Sequence, residues 1–472
     1  MSRRKLGTVL ILMGALILVV AIAIYPPPGF PGSPALPLQP YRILSPQSLM
    51  LASENFTFPR DFYIEVKKLS PSVTAVSKPK NITPLTYKMG NYYYKSYVYK
   101  ATLTKEEYLK LASMDDVIGI WDIPTVRLTK LTGAEESFYG NMEDALRSTS
   151  VENLVAQGKD GTNTIIAIID YFPPQTIFYS YFPHSWSDRI LHYPSETFDE
   201  LHGVMTASIA AKVSPNAKLY LVALKDDIMQ SYQEVINLVN LYPDHKIICS
   251  NSYCLSGWIY YMPGHVVNRK VLEMVDKGIC VLFAAGNWAH EGEHNPAWTL
   301  DVGYDSRNIF YGRNEEIGYP AVFSSVISVA GCSSDGKYIL SYSSLGRGVG
   351  NHDEPDVAAP THFSYEYSPY GSLGTSGSCP FMAGVCANIL TDKNVTPYQL
   401  VEAIHHYSMD RGHRGFDVEF GFGIVNATML YNEVENIPSR TISPTTMYVA
   451  GIGLIGVGAV FRFGEKRKYK WR

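Results

Sequence analysis

Short apolar runs alternate with helix-like stretches through the centre of the chain. The first run, residues 164–169, reads TIIAII, and similar runs predict strands at 219–224, 246–252, 279–284 and 326–330. Helical periodicity occupies the intervals between them, at 203–212, 231–241 and 266–277, and precedes them at 141–156. Strands that are apolar throughout and alternate with helices predict an α/β fold with a mostly parallel sheet, covered on both faces. Functional groups in such a sheet collect at the carboxyl ends of the strands.

Two helices carry end patterns in the sequence. Ser231 and Glu234 have the spacing of a capping box, which places a helix start at Ser231. Gly278 follows the helix at 266–277, as a residue that ends a helix in the left-handed conformation often does.

A smaller unit is predicted at residues 55–130. Strand patterns lie at 62–66 and 91–102, and Thr104 with Glu107 forms a capping box that opens a helix at 104–113. Residues 117–128 then favour an extended chain. The unit is predicted to be a separate α+β domain that precedes the larger one, at 141–436.

Both ends of the chain have the pattern of membrane segments. Residues 6–25 carry no charge and follow a basic start, so residues 1–25 are predicted to be a signal-anchor or a cleaved signal peptide. A proline-rich linker follows at 26–54. After a short linker at 437–445, the glycine-containing apolar segment 446–463 is predicted to cross a membrane, and 464–472 form a basic tail. By the positive-inside rule both termini are cytoplasmic and the domains face outside.

Composition narrows the choice of partners. The 472 residues include 40 basic and 44 acidic side chains, a balance that gives no indication of nucleic-acid binding. The six cysteines show no paired spacing typical of metal sites, and we expect most of them to be buried thiols. An exported location would also permit disulfides, and the sequence does not determine their pairing.

The stretch at 374–384, GTSGSCPFMAG, places a serine at the start of a buried helix. The unpaired N–H groups there and the helix dipole favour negative charge, which suits a nucleophile beside an oxyanion. A simple helix cap is the alternative interpretation of Ser376. The stretch resembles the nucleophile motif of subtilisin-like serine proteases, and this resemblance implies that Ser376 is the nucleophile.

Further residues extend the resemblance. Asp170 ends the first apolar strand, and His202 opens a helix in LHGVMTASIAA. Taken alone, Asp170 could be a turn residue and His202 a packing residue. The resemblance implies that they complete a Ser/His/Asp triad. The residues after each one, Tyr171-Phe172 and Val204-Met205, differ from the usual family motifs.

Asn287 closes the sequence AAGN after a predicted strand and resembles the oxyanion asparagine of the family. By the same resemblance, substrate is expected to pair with the chain between two segments. These are Ser252, Tyr253 and Cys254 on one side and Ala284, Ala285 and Gly286 on the other.

The similarity extends over about 141–431 and implies a three-layer subtilisin-like fold. The domain at 55–130 occupies the place of a propeptide, which would act as an intramolecular inhibitor. No metal site and no cofactor is predicted. The HEGEH sequence from His290 to His294 formally fits a zinc-protease motif, but Gly292 and Pro296 oppose the helix that this motif needs.

We therefore expect a membrane-anchored, extracytoplasmic serine endopeptidase that acts on proteins or peptides and is made as a zymogen. The alternative is an inactive protein of the same fold that serves as a binding or scaffold module. The atypical residues after Asp170 and His202 motivate this alternative.

Overall fold

The computed structural model describes residues 58–89, 92–128, 138–256, 259, 262–289, 317–350, 352–369 and 371–438. The predicted membrane segments, the proline-rich linker and the HEGEH sequence lie outside these residues. Within the described ranges, no helix is long and apolar enough to cross a membrane.

The N-terminal part is a four-stranded antiparallel sheet with two helices. Its elements are β1 (Arg60–Val66), α1 (Pro71–Ser77), β2 (Lys80–Met89), β3 (Tyr92–Leu103), α2 (Lys105–Ala112) and β4 (Val117–Asp122). The strands lie in the order β2-β3-β1-β4. Thr104 and Glu107 form the predicted capping box at the start of α2. This part has an apolar core of its own, made by β1, β3, β4 and both helices.

A short strand, β5 (Thr125–Leu128), follows, and the larger part begins at Asn141. Its helices include α3 (Met142–Ser148), α4 (Val151–Ala156), α5 (Gln175–Tyr181), α6 (His202–Val213), α7 (Ile228–Leu241) and α8 (Val266–Asp276). Towards the C-terminus come α9 (Thr375–Ile389), α10 (Pro397–Tyr407) and α11 (Ala427–Glu433). Short 3₁₀ helices lie at His184–Arg189 and Val434–Asn436.

The larger part is built on a parallel sheet. Its strands are β6 (Thr164–Asp170), β7 (Ile190–His192), β8 (Lys218–Ala223), β9 (Lys246–Asn251), β11 (Cys280–Ala284), β12 (Ile327–Cys332) and β13 (Val357–Pro360). They lie in the order β13-β12-β11-β9-β6-β8-β7, and neighbouring strands run parallel. The predicted α/β fold with a parallel sheet is confirmed. The remaining strand, β10 (Tyr253–Ser256), is outside this sheet and pairs with β5.

The central strands follow the predicted positions closely because buried parallel strands are apolar on both faces. Two helix predictions were wrong in detail. Helix α7 begins at Ile228 rather than Ser231, and the Ser231 hydroxyl donates to the carbonyl of Ala223 at 2.8 Å instead of capping the helix. The stretch at 141–156 forms two helices because Ser150 adopts a left-handed conformation, with φ of 58°, between them.

Helix α9 runs through the core, and all of its residues are buried. It packs closely on α6, because a side chain at Gly384 would meet Val213 at 2.6 Å. The small residues of α9 therefore fix the distance between the helix that carries Ser376 in its first turn and the helix that begins at His202. All six cysteines are free thiols, and all except the partly exposed Cys254 are buried.

The N-terminal sheet packs on α7 and α8 of the larger part. Arg269 of α8 and Glu65 of β1 form a doubly hydrogen-bonded ion pair, in which Arg269 Nη1 donates to Glu65 Oε1 at 2.9 Å. Next to it, the Tyr63 hydroxyl donates to Asp227 Oδ1 at 3.0 Å, just before α7. Both contacts are buried, so the two parts share a dry, polar interface.

Candidate active site

Asp170 lies at the carboxyl end of β6, in the middle of the parallel sheet, and is fully buried. Its Oδ1 atom accepts a hydrogen bond from the N–H of Tyr171 at 2.8 Å, and its Oδ2 atom accepts one from the Thr206 hydroxyl at 3.0 Å. These donors compensate for the removal of the carboxylate from water and fix its orientation.

His202 is the first residue of α6 and is 2% exposed. Its Nδ1 atom lies 2.8 Å from Oδ1 and 2.9 Å from Oδ2 of Asp170. A donor is needed opposite a carboxylate, so Nδ1 carries the proton and Nε2 is left as the basic nitrogen of the neutral ring. Gly203 permits this approach, because a Cβ atom there would lie 2.5 Å from the carbonyl oxygen of Tyr171.

Ser376 lies in the first turn of α9 and is fully buried. The turn into the helix needs Gly374, whose φ is +69°. The Ser376 hydroxyl donates to the carbonyl of Ser252 at 3.3 Å, and the Ser252 hydroxyl donates to the carbonyl of Ser376 at 3.0 Å. The candidate nucleophile is thereby held beside Ser252, the residue directly before β10.

Asn287 follows β11 and is buried next to the start of α9. Its Oδ1 atom accepts hydrogen bonds from the backbone N–H and the hydroxyl of Thr375, at 2.9 and 3.0 Å. The Thr375 hydroxyl in turn accepts the N–H of Gly286 at 3.1 Å. Because these contacts fix the side-chain oxygen, the amide nitrogen is the donor on the opposite side of the group.

The predicted substrate segments lie side by side. Cys254 Sγ of β10 is 3.9 Å from the carbonyl oxygen of Ala284, at the end of β11. The Tyr253 hydroxyl donates to Asn251 at 2.8 Å, and its buried ring belongs to the core. Only the backbone of Tyr253 therefore borders the space between the two predicted substrate segments. Ala285 is tied to β12 through its N–H, which donates to Val329 at 2.9 Å.

Strand β5 from the N-terminal region occupies the edge of β10. The pairing is antiparallel, with Leu128 opposite Tyr253 and Arg127 opposite Cys254. The backbone of β10 therefore has a partner in this structure, and that partner is an extended segment of the same chain. This is the manner in which a cleft that binds extended peptides holds its ligand.

The geometry can generate a nucleophile, although the last contact is not made in this structure. Among the described residues His202 Nε2 has no hydrogen-bond partner, while the Ser376 hydroxyl donates to Ser252. Catalytic hydrogen bonds are often long or misaligned without substrate and shorten when it binds. A rotation of the Ser376 side chain towards His202 would complete the Asp–His–Ser series.

Sequence reasoning identified the four candidate residues but missed two that hold them in place. Thr206 lies one helical turn after His202, and its spacing to that residue could have indicated the contact with Asp170. Thr375 precedes Ser376 directly, yet nothing in the sequence connects it to Asn287, which is 88 residues earlier. The sequence predicted that substrate would pair beside Ser252–Cys254, but it did not predict the pairing of β5 with β10.

A parallel α/β sheet with an aspartate and a histidine at its carboxyl edge, and a serine at the start of a central helix, defines a known class of hydrolases. A model of the Subtilase family matches residues 99–423, which is most of the chain. The chain belongs to this family.

Among solved structures, the chain is similar to fervidolysin from Fervidobacterium pennivorans, described as a keratinolytic enzyme related to subtilisin. The TM-score is 0.55 and the sequence identity 16%, over 80% of this chain and 61% of the other. At this identity the likeness shows the fold alone, which is subtilisin-like. The chain spans about three fifths of the length of that enzyme. A search of curated proteins finds no match.

Proposed function

We propose that this protein is a serine endopeptidase that is made as a zymogen and anchored at the outer face of a membrane. The observation that carries the proposal is the buried, hydrogen-bonded pair of His202 and Asp170, since His202 opens the helix that packs on the helix of Ser376. Each of the three residues also has a hydrogen-bonded neighbour that fixes its position, which supports the proposal.

In the proposed mechanism, Ser376 Oγ attacks the carbonyl carbon of the scissile bond while His202 Nε2 accepts the hydroxyl proton. Asp170 holds the imidazole and stabilises its charged form. The side-chain amide of Asn287 and the backbone N–H of Ser376 donate to the oxyanion. His202 then gives its proton to the leaving amine, and water hydrolyses the acyl-enzyme with His202 again acting as base.

Labelling with a fluorophosphonate probe tests the activated serine. We expect the processed wild-type protein to be labelled and Ser376→Ala to remain unlabelled. Ser364→Ala, which removes an exposed hydroxyl, should be labelled like the wild type. A folded, propeptide-free wild type that takes no label would overturn the proposal.

We further infer that the domain at 55–130 is a propeptide. Its β5 strand occupies the edge of β10, where an extended substrate would pair. If the same register continued by one residue, the residue after Leu128 would lie opposite Ser252, whose carbonyl contacts Ser376. Self-cleavage is therefore expected after Thr129, and the domain would remain bound as an inhibitor.

The N-terminal sequence of the mature enzyme tests this register. We expect it to begin at Lys130, and we expect the Ser376→Ala protein to keep its N-terminal domain. A mature protein that begins before Arg127 would contradict the assignment, and one that begins well beyond Asn141 would place the cut outside the cleft.

The membrane anchor is a separate part of the proposal and is supported by the sequence alone. Apolar segments at 1–25 and 446–463 have basic residues on their outer ends, which favours cytoplasmic termini. Extraction of membranes at alkaline pH should leave the protein in the pellet. Added protease should remove the catalytic domain from intact cells, and release by alkali would refute the anchor.

One observation favours the second candidate, an inactive scaffold of the same fold. Within the described residues His202 Nε2 makes no hydrogen bond, so the series from Asp170 to Ser376 is interrupted. The labelling experiment separates the two functions, since a scaffold needs no activated serine.

A further inference from the structure

The pairing of β5 with β10 indicates which residue of a bound peptide would have its carbonyl attacked. Leu128 lies opposite Tyr253, and Ser252 precedes Tyr253 and contacts Ser376 through its carbonyl. An extended peptide bound in this register therefore has one residue opposite Ser252 and beside the nucleophile. We call it the P1 residue. This inference rests on the proposed peptidase function and concerns which P1 side chains are accepted.

The P1 side chain would enter the space between β10 and the segment Ala284–Gly286. A side chain that fits between two walls contacts both, at about 4 Å on each side, so the walls must stand about 8 Å apart. Cys254 Sγ lies only 3.9 Å from the carbonyl oxygen of Ala284. The cysteine side chain thus closes the gap at this depth, and a large ring cannot pass it.

The thiol of Cys254 acts here by its volume rather than by its reactivity. Burial raises the pKa of this thiol, so it stays protonated and is a poor nucleophile. Its side chain extends from β10, one wall of the space, to Ala284 on the other wall, and a glycine at this position would remove the Sγ atom that makes this contact.

A second side chain, that of Trp288, lies against the far end of the segment Ala284–Gly286. The indole ring of Trp288 lies against Gly286, at 2.0 Å from where a Cβ atom of that residue would be. The backbone N–H of Trp288 donates to Ser344 Oγ at 3.2 Å, which fixes the main chain directly after Asn287. Trp288 as a whole is 9% exposed, so its side chain packs against the protein rather than extending into solvent.

We propose that Cys254 and Trp288 determine specificity and restrict the P1 position to small side chains such as alanine, serine and threonine. The chain's own sequence agrees with this restriction. The residue that follows Leu128, and that the register would bring to P1, is Thr129. Threonine is among the smaller side chains, whereas an aromatic residue would need the space that Cys254 and Trp288 occupy.

The test uses the processed full-length protein and a set of peptide 4-nitroanilides that differ only at P1, with alanine, threonine, phenylalanine or tyrosine. For the wild type we expect kcat/KM to be at least tenfold higher for alanine than for phenylalanine. A pocket discriminates by about 10–200-fold for a difference of one methylene group. In Cys254→Gly the ratio of phenylalanine to alanine should rise at least tenfold.

Two further variants keep the test decisive. Cys254→Ser retains the volume and removes the sulfur, so it should keep the wild-type ratio. Trp288→Ala should raise the phenylalanine ratio independently of Cys254. A wild type that cleaves after phenylalanine as well as after alanine would overturn the proposal. So would Cys254→Gly and Trp288→Ala variants that keep the wild-type ratio of phenylalanine to alanine.

The chain also provides an intramolecular readout. Thr129→Phe should slow self-processing at least tenfold in the wild-type background, and Cys254→Gly should restore it. Fluorophosphonate labelling of each variant separates failure of this inference from failure of the peptidase function. Labelled protein with unaltered selectivity refutes only the role of Cys254 and Trp288, whereas unlabelled wild type refutes the function itself.

Discussion

Glu65 and Arg269 form a buried, doubly hydrogen-bonded ion pair between the N-terminal sheet and helix α8. Glu65 is fully buried and also accepts a hydrogen bond from the Ser96 hydroxyl at 2.8 Å. The guanidinium group lies over the rings of Tyr87 and Trp121. The two charges are paired only while the N-terminal sheet is docked on the larger part. Replacing either Glu65 or Arg269 should therefore weaken the association of the two parts.

Replacement of Arg269 by methionine should weaken retention of the N-terminal domain after cleavage. Removing one partner of a buried ion pair leaves a charge without compensation, at a cost of about 3–5 kcal/mol. We expect the cleaved domain to dissociate during gel filtration of processed protein, while it co-elutes with the wild-type enzyme. Arg147→Met, which alters an exposed ion pair, is the control. Equal retention in both variants would contradict this role of Glu65 and Arg269.

Asp170→Asn should lower kcat by about 10⁴-fold with little change in KM, because an amide can hold His202 in the wrong tautomer. Peptide hydrolysis by the processed protein measures the effect. Asp188→Asn, at an exposed position, should leave kcat unchanged. A loss of less than tenfold at Asp170 would indicate that another group orients His202.

Asn287→Asp should reduce kcat by about 10²–10³-fold. The carboxylate can still accept both hydrogen bonds from Thr375, so the local structure is retained while the amide donor is lost. Steady-state kinetics should show the loss in kcat, with KM within about threefold of the wild-type value. If the loss appeared in KM alone, Asn287 would bind substrate without stabilising the oxyanion.

A buried pair of carboxyl groups predicts a pH-dependent stability. Glu354 accepts a hydrogen bond from the Ser328 hydroxyl and adjoins Asp356, which also contacts His405 at 2.6 Å. Burial and the neighbouring charge of Asp356 hold the pKa of Glu354 well above its ordinary value. Above about pH 4.3 the unfolded chain releases this proton while the folded chain retains it, so the free energy of unfolding falls as pH rises.

Glu354→Gln should therefore be more stable than the wild type at neutral pH, with the difference vanishing near pH 4. The difference should grow by at most about 1.4 kcal/mol for each pH unit until the folded group ionises. Urea unfolding at pH 4, 6 and 8 measures it. The exposed Glu419→Gln should show no such trend. A glutamine variant that is less stable at pH 8 would reverse the sign assigned here.

The sequence was informative where one physical requirement controls several neighbouring residues. Strand β6 was predicted at 164–169 and is observed at Thr164–Asp170, because a strand buried on both faces must be apolar throughout. Asp170 was recognisable as a candidate because it is the one charged residue at the end of this apolar strand. The start of α7 was wrong because Ser231 has the composition of a cap but uses its hydroxyl to fasten the preceding turn to Ala223.

Contacts between distant segments of the chain produce no comparable pattern in the sequence. The pairing of β5 with β10 uses backbone groups, which every residue carries, and joins residues 125 to 131 positions apart. The same applies to the hydrogen bonds from Thr375 to Asn287, which support the candidate site without forming a motif. The candidate site residues could therefore be predicted from the sequence. The residues that hold them in place by hydrogen bonds could be identified only in the folded structure.

The six cysteines, all of them free thiols, have a consequence for where this fold can exist. Non-covalent packing alone holds the described parts together, and no cross-link has to be formed or protected. Added reductant should leave the melting temperature unchanged. The architecture therefore does not depend on an oxidising compartment and would keep its cohesion in a reducing one.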